Sequence, residues 1–204
     1  MRKTKKFIYL ISPEIIFSSD FYKNLEKLFK TNKVSFFQLR LKKTTKQNII
    51  KIAKKIKNLT KKYNVKFIIN DDPNLSIKIN ADGCHIGQKD FNFKKARKIL
   101  KNKILGITCH NSIKLARAAI KNKADYLAFG SFYQSKTKKA KYKANIKIIH
   151  STKKITSIPI VAIGGINTKN YKKLLLNKAN FLAISGYIWN NKKYKPLEAI
   201  KKLK

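Results

Sequence analysis

Only nine of the 204 residues are acidic, against 49 Lys and Arg, yet four of the nine fall within residues 66–90: Asp71, Asp72, Asp82 and Asp90. Two apolar runs in that stretch, 67–69 and 84–86, each end in polar residues. Carboxylates placed just past strand-like runs in so basic a chain suit a hard cation such as Mg²⁺. That ion takes oxygen ligands and needs only one or two carboxylates when a substrate phosphate supplies others. Asp72 precedes Pro73, the pattern of a helix N-cap followed by proline in the first turn. Asp72 is therefore assigned to capping, Asp82 to the turn into the next run, and Asp71 and Asp90 are the candidate Mg²⁺ ligands.

Cations, hydroxyls and amides stand at the ends of the other apolar runs. The second run ends in Gln38, Arg40 and Lys42, and the third in Asn70. Gln88 follows the fourth, and Thr108 and His110 close the fifth. A polar stretch after the sixth holds Ser135, Thr137 and Lys138. Gly164 and Gly165 follow the seventh, and Ser185 and Gly186 the eighth. Three cations, several hydroxyls and two carboxylates suit a diphosphate with Mg²⁺, and the glycines offer backbone N–H groups to a second phosphate. Two phosphate-bearing ligands in one pocket imply a transferase with a diphosphate leaving group.

These groups need a scaffold that brings many chain segments to one rim. Apolar runs at 7–12, 34–40, 66–70, 83–87, 104–109, 126–130, 159–164 and 181–185 read as strands. They alternate with amphipathic stretches at 21–30, 44–62, 74–79, 93–100, 112–121, 146–154, 169–176 and 196–203. Alternating strands and helices imply parallel pairing through crossovers. Eight such units predict an α/β fold, a single-domain (β/α)8 TIM barrel over residues 1–204, with its site at the C-terminal strand ends. A doubly wound open sheet is the alternative, but no Gly-x-Gly-x-x-Gly turn follows the first strand. Period two puts Phe37, Leu39, Cys84, Ile86, Leu105, Ile107, Leu182 and Ile184 toward the helices. It turns Gln38, Arg40, Gly83, His85, Gly106, Thr108, Ala183 and Ser185 inward.

Composition narrows the function classes. The net charge is +40 and 43% of residues are hydrophobic, enough apolar content for a real core. Lysines run through nearly every helical stretch and aromatics are not interleaved with them, so a specific nucleic-acid surface is not expected. The basic start is followed by an apolar run of only residues 7–11, short for a signal peptide, and nothing approaches the roughly 20 apolar residues of a membrane span. Cys84 and Cys109 lie in apolar runs, as reduced buried thiols do. A cytoplasmic enzyme acting on small molecules is expected, with no membrane partner and the oligomeric state left open.

The segments QLRLK (38–42), IINDD (68–72), ADGCHIGQKD (81–90), GITCH (106–110), FGSFYQSKTKK (129–139) and AIGGI (162–166) together resemble the thiamine phosphate synthase family, in order and spacing over essentially the whole chain. The resemblance implies condensation of hydroxymethylpyrimidine diphosphate with a thiazole phosphate. Diphosphate leaves first, and the thiazole nitrogen captures the resulting pyrimidine-methyl cation. It further implies that Arg40, Lys42, Thr108, Ser135, Thr137 and Lys138 bind the diphosphate and that Asp71 and Asp90 hold Mg²⁺. Gln38 and Asn70 would face the aminopyrimidine, and Gly165, Ser185 and Gly186 the thiazole phosphate. Such a reaction asks for neutralised leaving-group charge and excluded water, with no covalent protein nucleophile, in keeping with the lack of a Ser/His/Asp or Cys/His constellation. Three positions depart from the family pattern: Gln134-Ser135 replaces Pro-Thr, Ser131 replaces a common proline, and Thr108 stands where serine is usual. The hydroxyls are kept, and a looser sixth loop is the expected cost. His85 is inward and reads as a hydrogen-bonded structural residue. His110 matches the histidine of thiazole tautomerase relatives of the same fold, which is the alternative reading; a basic RNA-binding protein without catalysis is the remote one.

Overall fold

All eight apolar runs become strands in the computed structural model, which describes residues 6–16, 18–134 and 141–204. The strands are β1 (Ile8–Ile11), β2 (Val34–Leu39), β3 (Lys66–Asn70), β4 (Gly83–Ile86), β5 (Ile104–His110), β6 (Tyr126–Phe129), β7 (Ile160–Ile163) and β8 (Phe181–Ile184). Each pairs in parallel with the next, and β8 closes on β1, giving a (β/α)8 TIM barrel. Between and after them run α1 (Ser19–Lys30), α2 (Lys46–Lys62), α3 (Pro73–Lys78), α4 (Phe93–Leu100), α5 (Ile113–Lys121), α6 (Ile146–Lys153), α7 (Tyr171–Leu176), α8 (Gly186–Trp189) and α9 (Pro196–Lys201).

The helices bury an apolar face, and α2, α3, α4 and α5 also carry a side-chain N-cap. In α1, Phe21, Leu25, Leu28 and Phe29 share one face and are all buried, each worth about 1.5–3 kcal/mol when fully withdrawn from water. Asp72 caps α3 by accepting from Leu75 N–H at 2.8 Å, with Pro73 in the first turn. Asn92 and Ser112 cap α4 and α5 in the same way. Four helix ends carry the paired hydrogen bonds of a Schellman turn, at Asn64, Asn80, Lys123 and Lys178. All four have positive φ, and each is followed by an apolar residue that docks the turn.

Strand parity sorts the side chains into two cores. Leu10, Phe37, Phe67, Cys84, Leu105, Leu127, Ala162 and Leu182 face the helices. Tyr9, Tyr126, Ala128, Val161 and Ala183 fill the barrel, with Phe36 and Phe181 packed against them. The barrel is solid because glycines admit large neighbours. A Cβ on Gly106 would collide with the Tyr126 ring, and one on Gly83 with Ile104.

At the N-terminal rim three two-point clasps recur on alternate strands. Asp82, Asp125 and Asn180, just ahead of β4, β6 and β8, each accept a backbone N–H from the preceding strand: Phe67 at 2.8 Å, Leu105 at 2.7 Å and Ile160 at 2.8 Å. Each also returns its own N–H to that residue's carbonyl. These bonds give the rim's first N–H groups partners they would otherwise lack.

Candidate active site

At the opposite rim the strands release their last residues into loops. Arg40, Gly87, Gly130, Gly164 and Ser185, expected as strand ends, lie just beyond the ladders. Ser12 ties the start of this rim together: its hydroxyl accepts from Arg40 N–H at 3.0 Å, and its N–H donates to the Gln38 carbonyl. Gln38 is buried, and its Nε2 donates to Asn70 Oδ1 at 2.7 Å. That bond leaves Gln38 Oε1 as an acceptor and Asn70 Nδ2 as a donor, a pair that matches an edge with both functions. Arg40 lies 3.7 Å from Glu14, and Lys42 lies 3.7 Å from Asp71.

Asp71 and Asp90 come together although 19 positions apart in sequence. Asp71 has φ of 65° and sits at the centre of a tight turn closed by Asp72 N–H donating to the Asn70 carbonyl. Its own N–H donates to the His85 carbonyl at 2.8 Å, which locks the turn onto β4. Backbone conformations of this kind cost free energy and concentrate at functional sites. Asp90 Oδ2 accepts from Gly87 N–H at 2.9 Å. Burial, then the hydrogen bond and charge of Asp90, push the Asp71 carboxyl up to about 6, with Lys42 and Arg40 opposing. Asp90 is in no ion pair among the described residues, whereas seven of the nine acids are. A carboxyl pushed up by the charge of a second carboxylate beside it is a fit for a cation.

Behind this pair lies a hydrogen-bonded row of ring and hydroxyl groups. His85 Nδ1 is 2.9 Å from Tyr126 Oη, and its Nε2 is 2.9 Å from Thr108 Oγ1. Tyr126 Oη is 2.7 Å from Tyr9 Oη. Burial pushes the imidazole down to about 4, so the ring is neutral at neutral pH. Gln88 Nε2 donates to the Thr108 carbonyl. His110 ends β5 at a register shift with φ of 52° and stacks on Tyr142 at 4.1 Å between ring centroids.

Gly164 and Gly165 have φ of 108° and 59°, and a Cβ there would strike Ser131 at the first, Tyr133 and Gln134 at the second. The pair therefore lets the start of the sixth loop lie against β7, as Phe132 and Tyr133 N–H bonds to Ile163 and Gly164 carbonyls require. This is a structural duty beyond the backbone cradle inferred from sequence. Ser185 Oγ donates to the Ser12 carbonyl at 3.1 Å, and Gly186 opens α8. Ser135, Thr137 and Lys138 lie outside the described residues.

Sequence reasoning missed Tyr9, Tyr126, Glu14, Tyr142 and α8. The parity rule used on four strands would have put both tyrosines inside had it been extended to β1 and β6. Nothing local announces α8, which is held by Trp189 Nε1 donating to the Ile11 carbonyl at 2.7 Å, across the β8–β1 seam.

The family model for thiamine monophosphate synthase matches residues 8–188. A thiamine-phosphate synthase of Pelagibacter ubique (strain HTCC1062) is 67% identical over 200 residues, covering 98% of this chain and 97% of that one. The chain belongs to the thiamine-phosphate synthase family. A second member, from Rhodospirillum centenum (strain ATCC 51521 / SW), is 35% identical over 185 residues, covering 90% and 89% of the two chains. A solved structure of thiamine phosphate pyrophosphorylase from Pyrococcus furiosus shares the fold, with a TM-score of 0.85 at 23% identity over 98% of this chain and 95% of that one. Membership of the thiamine-phosphate synthase family makes the protein a transferase of thiamine biosynthesis. No helix among the described residues is long and apolar enough to cross a membrane.

Proposed function

We propose that the protein joins hydroxymethylpyrimidine diphosphate to a thiazole phosphate, releasing diphosphate and forming thiamine phosphate, with Mg²⁺ held by Asp71 and Asp90. The observation that carries this reading is the carboxylate pair facing each other beside Lys42 and Arg40, within a chain of this family. Arg40, Lys42 and the Thr108 hydroxyl bind the diphosphate, together with Ser135, Thr137 and Lys138 of the sixth loop. Gln38 Oε1 and Asn70 Nδ2 supply an acceptor and a donor to the aminopyrimidine edge. Backbone groups at Gly165 and at Ser185-Gly186 take the thiazole phosphate.

When bound, Mg²⁺ would neutralise charge on the leaving diphosphate. The protein's own part is to hold the two substrates in line and to stabilise negative charge as the carbon–oxygen bond to diphosphate breaks with its electron pair. The thiazole nitrogen then forms the new carbon–nitrogen bond to the pyrimidine-methyl carbon. Neither step needs a protein nucleophile. His85, neutral and with both ring nitrogens bonded, takes no part in proton transfer.

The test supplies both phosphorylated substrates with Mg²⁺ and follows thiamine phosphate and diphosphate. Both products in equal amounts are expected. Isomerisation of a thiazole phosphate supplied alone, with no condensation when both are present, would favour the tautomerase reading through His110.

A further inference from the structure

The row Tyr9–Tyr126–His85–Thr108 crosses the barrel from β1 to the mouth, with spacings of 2.7, 2.9 and 2.9 Å. Its hydrogens can be ordered in two directions. In one, Tyr9 donates to Tyr126, Tyr126 donates to His85 Nδ1, and His85 Nε2–H donates to Thr108 Oγ1. In the other, Thr108 donates to Nε2, Nδ1–H donates to Tyr126, and Tyr126 donates to Tyr9. The second direction leaves the Tyr9 O–H without an acceptor among the described residues, in a side chain that is 2% exposed. The first leaves only the Thr108 O–H to find an acceptor, and that hydroxyl sits on a half-buried side chain at the mouth, where water or a ligand can meet it. A buried donor without a partner bears the full loss of its hydration, so the first direction dominates. Burial drives both phenols well above their usual range, so each keeps the proton this ordering needs.

We infer that His85 is a positioning residue: with Tyr126 donating to its Nδ1, its Nε2–H occupies a lone pair of Thr108 and leaves the Thr108 hydroxyl hydrogen to donate to the diphosphate. The inference rests on the reading of Thr108 as a diphosphate contact. In the opposite ordering Thr108 would turn only lone pairs toward the anion, an acceptor facing acceptors. A hydroxyl that already accepts from a ring N–H is also the stronger donor. The row therefore uses buried groups far from the substrate to fix the sense of one hydrogen bond at the mouth.

The experiment combines NMR of ¹⁵N-labelled imidazoles with calorimetric binding of inorganic diphosphate in the presence of Mg²⁺. The protein has three histidines, so the His85 signals are those lost in His85→Phe. Nε2–H is expected; a proton on Nδ1 instead would overturn the inference. His85→Phe is expected to weaken diphosphate binding about three- to tenfold, the range of one lost hydrogen bond. It should raise KM for the diphosphate substrate more than it lowers kcat. His85→Gln places an amide N–H where Nε2–H was and is expected to recover most of the affinity, which also covers the case of a poorly folded His85→Phe. Because His85 acts only through Thr108, His85→Phe adds nothing to Thr108→Val in the double variant. Additive losses would mean that His85 is merely structural. Unchanged diphosphate affinity in Thr108→Val alone would instead overturn Thr108 as a diphosphate contact, and the inference with it.

Discussion

Asp71 is held at a cost. Its backbone adopts φ of 65°, and burial and Asp90 raise its carboxyl from the ordinary 3.8 to about 6. Because the folded value lies above the unfolded one, the folded protein keeps a proton that the unfolded chain gives up between about pH 4 and 6. The contribution of this group to stability is therefore full below about 4 and lost as pH rises through about 6. Metal and proton compete for the same oxygens, so Mg²⁺ binds more weakly as pH falls below about 6. Asp71→Asn removes the ionisation penalty and suits positive φ. It is expected to raise metal-free stability at pH 8 by about 1 kcal/mol, to leave stability at pH 4 nearly unchanged, and to lower kcat/KM by at least about tenfold. Thermal melts at both pH values and steady-state rates check it. A variant equally active and no more stable would show that Asp71 is not strained for function.

At the scale of elements, the two rims divide the labour. The clasps of Asp82, Asp125 and Asn180 fasten β3, β5 and β7 at the end opposite the site. Asp125 also receives Arg97 Nη2 at 2.6 Å. Asp125→Ala strands the Leu105 N–H and is expected to cost about 1–3 kcal/mol in a denaturant melt, with kcat unaltered; a fall in kcat with unchanged melting would contradict the division. Much of this architecture was legible in the sequence, and what was not has a physical reason. Phe37 and Leu39 alternate visibly with Gln38 and Arg40, and the Asp72-Pro73 cap needs only its own neighbours, so both could be read locally. IYLI of β1 and YLAF of β6 are buried on both faces, so composition alone does not mark Tyr9 and Tyr126 as inward. The approach of Asp71 to Asp90 depends on the register of β3 against β4, in which Asn70 lies opposite His85. Helix α8 depends on Trp189 reaching the Ile11 carbonyl, a contact no local window contains.

Across the whole molecule, scarce residue types are spent at particular places. Six of the seven glycines lie in the strands or in the loops at the mouth, and the seventh, Gly186, opens α8, while the positive-φ turns of the other rim are made by Asn and Lys. The lysines that give the net charge of +40 cover helices all round and favour the approach of phosphorylated ligands through their summed field. Against that field most acids lie beside a cation, Asp71 beside Lys42 among them, while Asp90 is in no ion pair among the described residues and meets Asp71 at the mouth. The central claim is that these two carboxylates hold the Mg²⁺ on which condensation depends. Its most direct test is the rate of thiamine phosphate formation as Mg²⁺ is titrated, in the native protein and in Asp90→Ala. The account predicts no turnover in excess chelator and a half-saturating Mg²⁺ concentration raised about ten- to a hundredfold by the substitution; full turnover in chelator, or superimposable Mg²⁺ curves, would contradict it.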